Sequence, residues 1–106
     1  MKLPMDGGCR CERVRIRVTK APMMTAVCHC RGCQRMSSSA FSATAICHAE
    51  AFEVTKGEAV LGGMRRADVQ HLFCGDCMTW MFTRVPAIPH IANVRVTMFD
   101  DPSWFS

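Results

Sequence analysis

The chain has 106 residues, 49% hydrophobic and 21% charged, a balance that fits one ordinary domain over 1–106 and disfavours disorder, collagen-like repeats and coiled coil. Its formal charge of +4 invites nucleic acid, but seven thiolates on two divalent ions would remove three positive charges and leave about +1. With 8% aromatics and no tyrosine, that is a poor surface for phosphates and bases, so no nucleic-acid partner is expected.

Charges and polar groups recur too often for a spanning helix of ~20 apolar residues, and Met1 to Gly8 lacks the apolar stretch of a secretory signal. A soluble, cytoplasmic protein without membrane contact is the expectation. In a reducing compartment its eight cysteines would persist as thiols or metal ligands.

In chain order, Glu12 to Thr19 alternates polar and apolar residues, which predicts a half-buried strand with Val14, Ile16 and Val18 inward, ended by Ala21-Pro22. Arg31 to Ser38 carries no β-branched residue and suits a short helix. From Ala40 onward, β-branched and aromatic runs predict strands over 41–47, 52–55, 69–73, 79–85 and 93–99, punctuated by Gly57-Glu58, Gly62-Gly63, Pro86 and Pro89. The fold class is therefore mainly β, with at most a short helix after the central cysteines. Core packing is the simple role for the nine methionines and for Trp80 and Phe82, while Trp104 and Phe105 suit either capping the core or covering a cleft.

Seven of the eight cysteines form three clusters: Cys9-x-Cys11, Cys28-x-Cys30-x-x-Cys33 and Cys74-x-x-Cys77. In extended chain, residues i and i+2 project to one side, so each Cys-x-Cys pair can share a metal while Arg10 and His29 turn away. Structural zinc takes four ligands, whereas catalytic zinc takes three and keeps a position open. Two pairs from opposite ends of the chain can close a four-cysteine site that staples the first strand to a late hairpin. Three cysteines within six residues cannot enclose an ion, so the central site should stay open. Other arrangements compete: Cys47 or His48 as a fourth ligand, a disulfide framework, or a redox pair at Cys74 and Cys77. Cys47 is also the one spare thiol that a methionine sulfoxide reductase would need.

Read in order, Gly8-Cys9-Arg10-Cys11, Cys28-His29-Cys30-Arg31-Gly32-Cys33-Gln34-Arg35, Ser39-Ala40-Phe41, Gly57-Glu58, Phe73-Cys74-Gly75-Asp76-Cys77 and Asp100-Asp101-Pro102 resemble the glutathione-dependent formaldehyde-activating enzyme family, which includes the centromere protein V group. The resemblance runs from about residue 8 to 102. It implies a small zinc-stapled domain of several twisted antiparallel sheets and two Zn²⁺ per chain, a structural ion on Cys9, Cys11, Cys74 and Cys77 and a second on Cys28, Cys30 and Cys33. The chain departs from the family pattern at four places: Glu12, Ser38 and Met78 each replace a glycine, and the tripeptide Thr97-Met98-Phe99 replaces Gly-Thr-Leu. Glycine at such positions ordinarily permits positive φ or close backbone approach, so the zinc turns or the substrate cleft are expected to be reshaped here.

The chemistry implied is a carbon–sulfur lyase or synthase reaction on a thiol adduct such as S-(hydroxymethyl)glutathione, with glutathione and an aldehyde as small-molecule partners. Three thiolates on Zn²⁺ carry a net charge of −1, which blunts Lewis acidity toward water and suits holding a thiol as thiolate. Cys28, Cys30 and Cys33 would act through that open site. Arg31 and Arg35, with Arg65 and Arg66 behind them, are candidates for the carboxylates of glutathione. His29 is expected to turn away from the metal, and His71 and His90 to serve packing or the surface. The alternative is a zinc-stabilised module that binds a thiol or a protein without turnover.

Overall fold

The structure is a computed structural model that describes residues 1–105. Nine strands and one α-helix succeed one another as β1 (Met5–Gly8), β2 (Arg15–Val18), β3 (Met24–Cys28), α1 (Arg31–Ser37), β4 (Ser42–His48), β5 (Phe52–Lys56), β6 (Ala59–Gly62), β7 (Gln70–Cys74), β8 (Trp80–Arg84) and β9 (Ile91–Arg95). The expected several sheets are two, both antiparallel: a three-stranded sheet β1-β2-β5 and a six-stranded sheet β3-β4-β9-β8-β7-β6.

The alternating segment forms β2 as expected, and Val14, Ile16 and Val18 are all buried. They join Ala45 and Cys47 of β4, Met81 and Phe82 of β8 and Val94 of β9 in one apolar cluster between the sheets, where Phe52 meets Phe82 with ring centroids 4.8 Å apart. Trp104 and Phe105 pack against that cluster, Trp104 edge-on to Phe99, so the end of the described chain caps the core.

Three strands lie outside the predicted set: β1, β3 and β6. The predicted strand over 93–99 ends early, because after Arg95 the chain turns into a 3₁₀ segment, Val96–Met98, that buries Val96 and Met98. At Gly7 an added Cβ would run into the backbone carbonyl of Met98, and this close approach is where the last segment bridges back onto β1. The Asp-Asp-Pro motif continues the same contact: Asp100 donates its N–H to the Asp6 carbonyl and pairs through its carboxylate with Arg15. Residues from the two ends of the chain thus meet on the three-stranded sheet.

The departures from the family pattern carry a backbone consequence. Glu12, Ser38 and Met78 have φ of 67°, 53° and 61°, the left-handed region that glycine occupies without steric cost. The bends persist after the glycines are gone.

Candidate metal centre

Cys9 and Cys11 follow β1 in a tight turn rather than the extended chain expected from their spacing, and Glu12 closes the turn by donating its N–H to the Cys9 carbonyl. Cys74 ends β7 and Cys77 lies in the turn to β8, which Met78 closes in the same way on the Cys74 carbonyl. The two turns meet. The sulfurs of Cys9, Cys11, Cys74 and Cys77 all lie within 4.8 Å of one another, with Cys9 to Cys11 at 3.6 Å and Cys11 to Cys74 at 3.7 Å. Thiolates at about 2.3 Å from a tetrahedral zinc are spaced at about 3.8 Å, so this donor set fits the ion.

Backbone donors already face these sulfurs. Val14 N–H points at Cys9, and Asp76 and Cys77 N–H at Cys74, each at 3.4 Å. The Thr79 hydroxyl, 3.1 Å from the Cys77 sulfur, pulls that thiol down to about 5. Such donors favour thiolate over thiol. The cluster lies between the start of the three-stranded sheet and the β7–β8 hairpin of the other, where a metal held by the four sulfurs would join the two.

The second cluster has a different character. Cys28 ends β3, Cys30 is the N-cap of α1 and accepts the Cys33 N–H at 3.3 Å, and Cys33 sits in the first turn. Their sulfurs also lie within 4.8 Å of one another, and among the described residues no fourth His, Cys, Asp or Glu joins them. Cys28 and Cys30 are exposed. The Cys33 N–H lowers the Cys30 thiol, while burial pushes the Cys33 thiol up to about 11. Three converging sulfurs with an outward face fit a metal that keeps one position open.

Cys47 does not reach the triplet. It is fully buried in the core, where desolvation pushes its thiol up to about 11. His48 lies with Glu50, Pro89 and His90 along another shallow depression. His29 packs against Phe41 with ring centroids 5.7 Å apart, turned away as expected. All eight cysteines are free thiols.

Two concavities flank the triplet and share Cys33 and His71. One is a mostly apolar groove of about 750 Å³ that brings Arg31 and Arg35 beside Cys30, with Met36, Met64 and Val69 along its walls. Arg65 and Arg66 do not line it, and Arg66 is instead paired with Asp68 at 2.5 Å. The other is a smaller pocket of about 250 Å³, open to Cys28 and Cys33 and walled by Ser42, Thr44, Trp80, Thr83 and Arg95.

This second wall, His71 included, is what sequence reasoning missed. His71 is not merely packing: its Nδ1 lies 2.8 Å from the Thr83 hydroxyl, which also accepts the Trp80 indole N–H at 3.2 Å, and burial lowers its pKa. The Arg95 guanidinium lies 4.0 Å above the Trp80 ring, and its Nη2 donates to Thr44 Oγ1. A signal existed in Asn93-Val94-Arg95, where Arg95 alternates with a core valine, but that says only that it faces away from the core.

Comparison with known proteins places the fold and the family. No curated protein sequence matches the chain. A crystal structure of a Rhodobacter sphaeroides protein is similar in fold, with a TM-score of 0.69 at 22% identity over 91% of this chain and 88% of that one. The family model for the glutathione-dependent formaldehyde-activating enzyme matches residues 4–106, through both cysteine constellations, and the chain belongs to that family.

Proposed function

We propose that residues 1–106 act as one zinc-binding domain that catalyses reversible addition of glutathione to formaldehyde or a similarly small aldehyde, a carbon–sulfur lyase or synthase reaction of the reducing cytoplasm. The observation that carries this reading is the contrast between the clusters: four cysteines closing on themselves, and three cysteines, two of them exposed, between a mostly apolar groove flanked by Arg31 and Arg35 and a smaller pocket lined in part by Arg95. Family membership supports the substrate pair, and eight free cysteines suit the compartment.

Cys9, Cys11, Cys74 and Cys77 would hold a structural zinc, and Cys28, Cys30 and Cys33 a second. When bound there, zinc supplies an open coordination position that favours the ionised form of an incoming thiol. Arg31 and Arg35 bind the carboxylates of the tripeptide, while Met36, Met64 and Val69 take its apolar parts. The smaller pocket, which also reaches Cys33, has room for a small carbonyl. Holding the two reactants in adjoining concavities that share Cys33 and His71 supplies proximity. Sulfur bonds to the carbonyl carbon, the carbonyl π pair moves to oxygen, and a solvent proton completes the hydroxyl; the reverse breaks the carbon–sulfur bond.

The test is exchange spectroscopy by NMR on glutathione and formaldehyde at equilibrium with S-(hydroxymethyl)glutathione. Protein carrying two zinc ions should accelerate the exchange, and the Cys30→Ser protein should not. Glutathione binding with unaccelerated exchange would instead identify a binding module.

A further inference from the structure

Arg95 is a buried cation without a carboxylate. Only 8% of the residue is exposed, its Nε and Nη1 have no hydrogen-bond partner, and it takes part in none of the ion pairs among the described residues. A guanidinium in that state costs stability unless something negative faces it. Thr44 and the Trp80 ring satisfy one nitrogen and one face, and neither carries charge. The groups lining the same pocket that turn negative on ligating a metal are sulfurs, those of Cys28 and Cys33, and their charge would offset part of the effect of burial on Arg95. Beside it Ser42, also buried, has a hydroxyl with no partner.

We propose that Arg95 is the counter-charge of the Cys28, Cys30 and Cys33 centre, a positioning residue whose fixed positive charge lets an anionic sulfur ligand join a site that already carries three thiolates. Three thiolates around a divalent ion leave a net charge of −1, and a fourth would bring it to −2. With Arg95 alongside, the corresponding totals are zero and −1, so thiolate entry is less opposed. The inference rests on the open-site reading of the triplet given above.

The experiment uses full-length protein loaded with Co²⁺ and titrated with 2-mercaptoethanol, followed by the sulfur-to-cobalt charge-transfer absorption. This probe has no carboxylate, so Arg31 and Arg35 do not enter. Arg95→Met, neutral and of similar length, should weaken thiol binding by about tenfold or more. Arg95→Lys, which keeps the charge and loses the stacked guanidinium, should stay within about threefold of the parent. Loss of the second Co²⁺ from the Met variant but not the Lys variant would equally support the proposal. Unchanged binding in Arg95→Met, or equal loss in both variants, overturns it and leaves Arg95 as a packing residue on Trp80. A parent protein that holds two Co²⁺ but takes no thiol overturns the open site itself, and this inference with it. Should Arg95→Met fail to fold, Arg95→Gln is read by the same criteria.

Discussion

The sulfur of Cys11 lies 3.7 Å from that of Cys74, across 63 positions of chain and between the two sheets. Closing so long a loop is costly in chain entropy, and the metal that both cysteines can share offsets that cost. Cys74→Ser should therefore abolish cooperative folding, since structural zinc supplies about 10–16 kcal/mol in small zinc-dependent folds. Cys30→Ser, at the exposed triplet, should lower zinc from two ions per chain to one and leave the melting transition nearly in place. Elemental analysis beside calorimetry checks both, and matching behaviour would refute the division of the two sites.

Ser38 and Met78 stand at φ of 53° and 61° and are both exposed. Relief of a left-handed non-glycine residue is worth about 1–2 kcal/mol, less about 0.5–1 kcal/mol for the extra freedom of glycine in the unfolded chain. Ser38→Gly and Met78→Gly should each stabilise the protein by about 0.5–1 kcal/mol in urea unfolding. Glu12→Gly should gain less, because Glu12 pairs with Arg15 at 2.7 Å.

Arg31 and Arg35 line the groove beside Cys30. Replacing both with alanine should raise KM for glutathione by about tenfold at nearly constant kcat, the pattern of lost uniform binding. KM for 2-mercaptoethanol should be unchanged. An equal rise for both thiols would mean that these arginines act on the metal centre rather than on the carboxylates.

Burial raises the Cys47 thiol from an ordinary value near 9 to about 11. The neutral thiol is favoured in the folded state, so its contribution to stability is complete below pH 9 and lost as pH rises toward 11. The stability difference between the parent and Cys47→Ala should shrink by up to about 1.4 kcal/mol per pH unit across that window. A difference that stays constant with pH would show that Cys47 contributes packing alone. In the folded protein at neutral pH, Cys47 should also resist alkylation.

What is encoded locally was legible in the sequence. The spacing of Cys28, Cys30 and Cys33 brings three sulfurs together through one strand end and one helical turn, and the alternation of Val14, Ile16 and Val18 faces β2 inward through the two-residue period. The glycine replacements led to the expectation of reshaped turns, whereas Glu12, Ser38 and Met78 keep the positive φ that glycine ordinarily permits. The strands β1, β3 and β6 were not legible: β1 is half glycine, β3 is mostly exposed, and β6 is four residues long. Each owes its conformation to a ladder with a distant or neighbouring strand more than to its own propensity.

Only the tertiary structure could place Arg95. Its register opposite Thr44, and the order β3-β4-β9-β8-β7, set a residue near the end of the chain against cysteines near its middle. Strand period tells which face a side chain takes, whereas sheet order tells what shares that face, and sheet order is a property of hydrogen bonding between segments far apart in the chain.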